Sequence, residues 1–285
     1  MKIAVTGDNH IQHIGNARPV IERLLADIRA EHADVLCVVG DLGEGEQAGA
    51  DPLYDLLLGT HPNTLFVLGN HDLWGYPHAK EPPPESMERS IAHFCSGFLL
   101  ERAWDDTETL HVAGDCAFVG SMGFPDFAHP RLEGKRDFYD SRSATVDHEF
   151  IWLPNGWVTH TDHMMRAFAK RLLMAFQRAA KHVVVLTHYP ILDGQSHLID
   201  EPRELQVWPY FFNWTMGRTV FGLAKEHPQK TAWCLAGHSH EFCRGKLTQE
   251  AANVFSFGLK TSYRSQDFFV FDTNQSGAGR NLRST

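Results

Sequence analysis

Cysteine, long apolar runs and positive charge are all scarce in this sequence of 285 residues, and each scarcity excludes a class of protein. The five cysteines show no CxxC spacing, so the sequence carries no redox or zinc motif of that kind. No apolar run reaches the ~18 residues that a membrane helix requires. The N-terminus MKIAVTGDNH turns polar too early for a signal peptide. The sequence therefore predicts a protein of the reducing cytoplasm that does not engage a membrane.

The formal charge also argues against one kind of partner. The chain has 26 Lys and Arg residues against 35 Asp and Glu residues, which gives a net charge of -9. Proteins that bind nucleic acid through its phosphates are usually basic, so such a partner is possible here but not favoured. With 43% hydrophobic and 11% aromatic residues, the chain can form a sizeable core.

The first part of the sequence alternates between strand and helix patterns. Strands are expected at 3–5, 34–39 and 65–68, and helices with apolar residues on one side at 18–30 and 51–58. This βαβαβ pattern predicts an α/β fold with a parallel sheet and right-handed crossovers.

The later part predicts further elements around two irregular stretches. Strands are expected at 111–113, 117–120, 182–186, 233–236, 254–257 and 268–271, and helices at 86–98 and 164–180. Residues 124–162 and 190–222 show no clear period. We interpret the chain as one domain over residues 1–285, with cap or loop insertions at about 75–165 and 190–222 that would select the substrate.

Five apolar runs each end in a polar cluster, written TGDNH, GDLGEGE, LGNHDLW, THYP and GHSHEF. The loops at the carboxyl ends of strands in an open α/β sheet form the ligand crevice, so these clusters can converge. Taken singly, the aspartates and the asparagine could be turn or cap residues. Together they supply carboxylate, imidazole and amide groups without a thiolate, a set that suits borderline to hard divalent ions. The candidates are Asp8, His10, Asp41, Asn70, His71, His188, His238 and His240.

The order of these clusters, DxH, GD, GNHD, TH and GHxH, resembles the motif series of the calcineurin-like metallophosphoesterase superfamily. The motifs lie between residues 7 and 240, so the resemblance covers most of the chain. It implies a four-layer α/β/β/α sandwich of two mixed sheets flanked by helices. It also implies an enzyme that uses two divalent or mixed-valence metal ions, with Mn, Fe and Zn as the leading candidates.

The resemblance implies a role for each motif residue. Asp8, His10 and His240 would hold the first metal. Asn70, His188 and His238 would hold the second, and Asp41 would bridge both. His71 would be catalytic and Asp72 would orient it, while a hydroxide bridging the metals attacks phosphorus. His238 and His240 alternate along the chain, so both reach one site only if the chain bends near Gly237.

Several residues near the motifs allow two interpretations. His13 and His197 follow motifs closely enough to line the pocket, but surface roles are common for histidine. The aromatic cluster at 208–214 is either packing or a wall for a base or sugar. A basic run could be a solvated loop or could hold a polyanion; it comprises Arg131, Lys135, Arg136 and Arg142.

Differences from the motifs of two branches of the superfamily argue against the substrates of those branches. Its phosphoprotein phosphatases continue the second motif with an Asp-Arg pair, whereas this chain continues with Leu42, Gly43 and Glu44. Its lipid-precursor pyrophosphatases typically replace the histidine that stands here as His71 by arginine. We therefore expect a phosphorylated small molecule as substrate, either a phosphodiester or a phosphomonoester, with the oligomeric state left open. The alternatives are a metal-dependent nuclease and a non-catalytic metal-binding interaction protein.

Overall fold

The computed structural model describes residues 1–44, 52–74, 98–99, 110–128, 156–179, 181–195, 211–240, 243–247, 251–259, 261, 266–274 and 281–284. In this part of the chain the strands, in order, are β1 (Lys2–Thr6), β2 (Val35–Val39), β3 (Thr64–Val67), β4 (Phe98–Leu99), β5 (His111–Ala113), β6 (Cys116–Ser121), β7 (His182–Thr187), β8 (Thr231–Ala236), β9 (Cys243–Leu247), β10 (Val254–Gly258), β11 (Asp267–Asp272) and β12 (Asn281–Ser284). The α-helices are α1 (Ala17–Ala30), α2 (Pro52–Leu58), α3 (Gly156–Arg178) and α4 (Trp214–Glu226).

The strands form two mixed sheets of six strands each. The first has the order β12-β11-β1-β2-β3-β4, in which β1 to β4 run parallel and β11 pairs antiparallel with both β1 and β12. The second has the order β5-β6-β7-β8-β10-β9, with β6, β7, β8 and β10 parallel and an antiparallel strand at each edge. The first sheet therefore contains the parallel strands that the first part of the sequence predicts, together with one internal antiparallel strand, β11. In the second sheet both edge strands are antiparallel.

The alternation of side chains along each strand produces four layers. In β1, Ile3 and Val5 belong to a cluster that also contains Val184 and Leu186 of the second sheet, whereas Ala4 packs with the residues of α1 and α2. Successive side chains point to opposite faces of a strand, so one face meets the other sheet and one meets helices. On the far side, α3 and α4 cover the second sheet through a third cluster. The predicted α/β/β/α sandwich is confirmed.

The three described free cysteines are core residues. Cys37 and Cys116 lie between the two sheets and Cys234 lies under α3 and α4. Burial raises the pKa of the Cys116 thiol to about 12, so a reactive thiolate does not form there. None of the described helices is long and apolar enough to cross a membrane.

Two helices differ from the sequence prediction. Helix α3 begins at Gly156 rather than at 164, and α4 begins inside the stretch that reads as irregular. Thr, His, Trp and Gly are weak helix formers, so propensity alone does not predict these starts. Capping favours the start of α4, where the Asn213 side chain accepts the N–H of Met216 at 3.0 Å. Strands β4, β9 and β12 were also not predicted.

The predicted insertions are only partly described. Within 75–165 the described residues include β4, β5, β6 and the first turns of α3, and within 190–222 they include the start of α4. These elements belong to the sheets and the outer helical layer. The rest of both stretches, including the predicted helix at 86–98 except for its last position in β4, lies outside the described residues.

Candidate metal centre

The predicted site residues lie where five strands end. Asp8 and His10 follow β1, Asp41 follows β2, and Asn70 and His71 follow β3 in the first sheet. The second sheet supplies three histidines, which are His188 after β7 and His238 and His240 after β8. The structure therefore brings residues from both sheets to one end of the sandwich.

The backbone at these strand ends is bent in an unusual way. Of the seven described non-glycine residues with positive φ, five are predicted ligands: Asp8, His10, Asp41, His238 and His240. Left-handed backbone costs free energy in residues with a side chain, and it concentrates at functional sites. These bends turn His238 and His240 toward the same site, although alternation along an extended strand would separate them. Gly237 permits the close approach, since a Cβ there would lie 2.5 Å from Asp8 Oδ2.

One group of donors consists of Asp8, His10 and His240. Their ligand atoms all lie within 4.8 Å of one another. The Nε2 atoms of His10 and His240 are 3.2 Å apart. Asp8 is fully buried, and both of its carboxylate oxygens accept the backbone N–H of His238, at 2.9 and 3.0 Å. The second sheet thereby holds the carboxylate in place.

A second group consists of Asn70, His188 and His238. His188 Nε2 lies 2.8 Å from Asn70 Oδ1 and 3.1 Å from His238 Nδ1. His238 Nδ1 is also 3.1 Å from Asn70 Oδ1. The other ring nitrogen of His188, Nδ1, donates to the carbonyl oxygen of Val39 at 2.9 Å, so the neutral form of the ring has its lone pair on Nε2, which faces the group.

Asp41 lies between the two groups. Its Oδ2 atom is 3.2 Å from His188 Nε2 in the second group and 3.6 Å from His10 Nε2 in the first. Its Oδ1 atom accepts the backbone N–H of His71 at 2.9 Å. One carboxylate is thus shared by the two sets of donors, which is the arrangement that a bridging ligand requires.

The donor set fits divalent cations. Imidazole nitrogens, carboxylate oxygens and an amide oxygen point at one another at distances of 2.8 to 3.6 Å. Electron-rich atoms that face one another in a buried site repel unless a proton or a cation lies between them. Among the described residues, Asp8 and Asp41 form ion pairs only with histidines. The site therefore needs positive charge that the described chain does not supply through Lys or Arg.

The titration behaviour of the site follows from this crowding. Burial lowers the pKa of His188, but the carboxylates of Asp41 and Asp8 outweigh burial and raise it to about 9. Burial and the neighbouring histidines lower the pKa of His10 to about 3, despite the carboxylate of Asp41. Burial also lowers the pKa of His238, with the charge of His188 acting in the same direction. One proton is thus held in the centre, on His188, where it does part of the work of a cation.

His71 lies beside both groups. Its ring is 4.6 Å from the ring of His10 at a right angle, and the ring of Trp74 lies 3.6 Å away at a tilt of 31°. One of its ring nitrogens also lies within 4.8 Å of ligand atoms of His10 and Asp41. Its side chain is 15% exposed, so it is more accessible than the buried donors.

The carboxylate of Asp72 accepts hydrogen bonds from backbone N–H groups of two loops. Its Oδ2 accepts the backbone N–H of Asp41 at 2.9 Å and of Gly69 at 2.8 Å. Its Oδ1 accepts the N–H of Leu42 at 2.9 Å and of Gly43 at 3.3 Å. Both oxygens thus serve backbone amides, and Nδ1 of His71 has no hydrogen-bond partner among the described residues. Asp72 thus fixes the loop that carries Asp41 against the loop that carries Asn70, and its role in orienting His71 stays a prediction.

Two neighbours of the site were missed or left open by sequence reasoning. His13 Nε2 lies 2.8 Å from Glu44 Oε1, and the same oxygen is 4.0 Å from His71 Nδ1. Glu44 follows the second motif, so its position after GD was the available signal. His197 and the basic run at 131–142 lie outside the described residues.

Aromatic side chains pack on the second group. The rings of Tyr189 and Phe211 lie 4.0 Å and 4.6 Å from the ring of His238. Phe211 is half-buried, whereas Phe212 is buried in the structure. The aromatic cluster therefore contains both packing residues and one ring beside the site, and its first three residues lie outside the described part.

Comparison with known proteins identifies the family. The family model described as calcineurin-like phosphoesterase matches residues 1–242. No curated protein matches. A crystal structure described as a dimetal phosphatase from Danio rerio is similar, with 14% identity, a TM-score of 0.54 and coverage of 99% of this chain and 97% of that chain. The crystal structure of TT1561 from Thermus thermophilus is also similar, with 13% identity, a TM-score of 0.52 and coverage of 95% and 93%.

At these identities the likeness to solved structures shows the fold alone, whereas the family model covers most of the chain. The model match and the buried donor groups agree with each other. The protein belongs to the calcineurin-like phosphoesterase family and is a metal-dependent hydrolase of phosphoester bonds.

Proposed function

We propose that the protein hydrolyses a small-molecule phosphodiester at a centre of two metal ions. The observation that carries the proposal is the position of Asp41, which lies 3.2 Å from His188 and 3.6 Å from His10 and so joins both donor groups. In this proposal one ion is held by Asp8, His10 and His240, and the other by Asn70, His188 and His238. Mn, Fe and Zn suit such nitrogen and oxygen donors.

Two bound divalent ions would supply the positive charge that a phosphoryl group needs and would acidify water in the site. The chain holds the donors in place. Val39 fixes the tautomer of His188, and the N–H of His238 fixes the carboxylate of Asp8. His71 lies next to both donor groups and is the group that we place against an oxygen of the substrate, where it would stabilise developing charge or donate a proton.

The charge around His71 favours a diester over a monoester. Glu44, with 31% of its side chain exposed, lies 4.0 Å from His71 Nδ1. The second motif also lacks the Asp-Arg pair of the phosphoprotein phosphatases, whose arginine helps to clamp phosphate. A phosphomonoester is largely dianionic at neutral pH, whereas a diester carries one charge, so a nearby carboxylate disfavours the monoester more strongly.

The proposal is tested by hydrolysis of bis-p-nitrophenyl phosphate and p-nitrophenyl phosphate. The protein is first stripped with a chelator and then reloaded with single metals. We expect turnover of the diester that depends on Mn or another divalent ion, with weaker turnover of the monoester. A protein that binds no metal and turns over neither ester would contradict the function, and a preference for the monoester would contradict the diester assignment.

A further inference from the structure

The start of β11 lies beside the end of β1, because the two strands run antiparallel. At this end of the pair, the hydroxyl of Thr6 donates to the carbonyl oxygen of Asp267 at 3.1 Å. Two donors of the first metal group follow β1 directly, and Gln266 directly precedes β11. Gln266 therefore lies beside the loop that carries these donors, although it is outside the residues 1–242 that the family model matches.

Gln266 and Asn9 exchange two hydrogen bonds. The Asn9 side chain donates from Nδ2 to Gln266 Oε1 at 2.5 Å, and Gln266 Nε2 donates to the backbone carbonyl oxygen of Asn9 at 3.0 Å. Both side chains are buried, and Asn9 Oδ1 has no hydrogen-bond partner among the described residues. Gln266 thus holds the backbone and the side chain of Asn9 together, at a place where water cannot replace a lost hydrogen bond.

Asn9 separates two donors whose backbone is strained. Asp8 and His10, on either side of it, have φ angles of 48° and 41°, in the left-handed region. Such a conformation persists only where the surrounding contacts determine it. The backbone N–H groups of both donors bond to carbonyl oxygens of the loop after β2, at 2.8 and 3.0 Å. Strand β1 lies between β2 and β11 in the sheet, so Gln266 holds the same loop from the opposite side.

We propose that Gln266 is a positioning residue for the first metal ion. By holding Asn9, it sets the directions of Asp8 and His10, and neither amide side chain binds the ion itself. The donors of the second group come from other loops, after β3, β7 and β8, so the effect of Gln266 is confined to the first ion. This effect on metal binding rests on the proposed function of the site, whereas the two hydrogen bonds do not.

The competing interpretation is a buried amide pair that only joins two strands. Under that interpretation, loss of the pair lowers the stability of the metal-free protein, because buried polar groups lose their partners. The affinities for both ions then stay unchanged, since the folded protein presents the same donors. The two interpretations therefore differ in the binding of the first ion and not in the stability of the fold.

The first experiment measures Mn binding to metal-stripped Gln266→Met, from the electron paramagnetic resonance signal of free Mn. Methionine keeps roughly the volume of the side chain and removes both hydrogen bonds. Gln177→Met is the matched control, since Gln177 is exposed on α3. We expect the dissociation constant of one ion to rise on the order of 10-fold to 100-fold in Gln266→Met, with the other ion unaffected. The control should bind as the wild type does, and equal binding by the two variants would overturn the proposal.

Two backgrounds show which ion is affected. Asn70→Ala removes a donor of the second group and leaves the first group complete, whereas His240→Ala does the reverse. Adding Gln266→Met should weaken Mn binding in the Asn70→Ala background and leave it unchanged in the His240→Ala background. Losses of equal size in both backgrounds would mean that the amide pair supports the whole site through the fold, which would overturn the assignment to the first ion.

A double-mutant cycle tests the route through Asn9. Adding Gln266→Met to Asn9→Ala should change the Mn affinity by less than about twofold, because the contact is already lost. A larger further loss would overturn this route.

Melting temperatures of the stripped proteins test the contact without metal. The fall in the double variant should be smaller than the sum of the falls in Asn9→Ala and Gln266→Met, because the two residues are partners. Additive falls would overturn the pair itself. A wild type that binds no Mn would overturn the proposed function and the role of Gln266 at an ion, while non-additive melting temperatures would still support the contact.

Discussion

Strand β7 begins with His182 and is followed directly by His188. The two histidines lie in clusters that differ in whether the carboxylates have a cationic partner. At its start, His182 accepts from Trp233 Nε1 at 3.4 Å and lies 3.9 Å from Asp115, which in turn pairs with Lys181 at 3.4 Å. Just past its end, His188 is fully buried against Asp8 and Asp41. The first cluster contains its own cation. The second contains carboxylates that, among the described residues, pair only with histidines.

Residue type alone does not separate these clusters, because both consist of histidine and aspartate. Burial and the supply of counter-charge separate them. At the start of β7, exposed charges are screened by solvent and neutralise one another. At the other end, buried donors converge without a matching cation, which is the condition under which a protein binds metal ions.

The largest expected effect comes from removing the shared carboxylate. Asp41→Asn should reduce activity to background, because a neutral amide neither bridges two ions nor balances their charge. Metal content, measured by elemental analysis after gel filtration, should fall below that of the wild type. Asp115→Asn, the same change at the other end of β7, should leave both values unchanged. Full metal content in Asp41→Asn would refute the bridging assignment.

His71→Ala should separate catalysis from metal binding. We expect turnover to fall by a factor on the order of 10² or more while the metals stay bound, because His71 is proposed to act on substrate rather than on metal. His182→Gln serves as the control at the start of β7 and should retain activity. Loss of metal from His71→Ala would mean that the group of His10, Asp41 and His71 holds an ion, and the roles would need reassignment.

His182 and His188, at the two ends of β7, should also respond differently to pH. With its pKa raised to about 9, His188 stabilises the metal-free protein below pH 6.5, and this contribution is lost as the pH rises through about 9. A metal ion binds the neutral imidazole, so it must displace that proton. The rise in melting temperature on adding Mn should therefore grow between pH 6.5 and pH 9.

The control for this pH experiment is again at the start of the strand. Burial lowers the pKa of His182, so its contribution is present above its unfolded value and is lost as the pH falls. His182→Gln should leave the metal-dependent rise in melting temperature and its pH dependence unaltered. A rise of the same size at both pH values in the wild type would show that no proton is displaced from the centre.

A smaller difference between the two ends of β7 is expected in the free energy of unfolding. Asp72→Ala would leave four backbone N–H groups near the centre without their acceptor, and we expect it to lower the free energy of unfolding by about 3 kcal/mol. Asp115→Ala removes a partly exposed ion pair and should lower it by about 0–1 kcal/mol. Urea unfolding of both variants, stripped of metal, measures the difference. Equal losses would show that the Asp72 contacts are not worth more than a surface pair.

The strand ends could be predicted because two simple patterns coincide there. Alternation or β-branching marks the strands, and a polar cluster marks each carboxyl end, so Asp8, Asp41 and His188 could be placed in one crevice from the sequence alone. The start of α3 could not be predicted, since Thr, His and Gly are weak helix formers. The same limit applies to β9 and β12, which are edge strands defined by their partners.

The positions of the carboxylates near His71 could not be predicted for a different reason. The carboxylate adjacent to it in sequence, Asp72, turns inward to backbone amides, while Glu44 comes from another loop. Neighbours in sequence on a tight turn often point in different directions, so adjacency to His71 did not indicate where the Asp72 carboxylate lies. The bends at His238 and His240 are similar: the sequence requires a bend near Gly237, but only the backbone angles locate it.

The two sheets contribute to the centre from opposite ends of the chain, and this has a consequence for biosynthesis. Asp8 accepts the N–H of His238, and His10 faces His240, across 230 residues of sequence. A nascent chain still attached to the ribosome exposes the first donors long before the last ones exist, so a partial chain has only a fragment of each ion's coordination. The complete donor set therefore exists only in a chain that has been synthesised at least to His240.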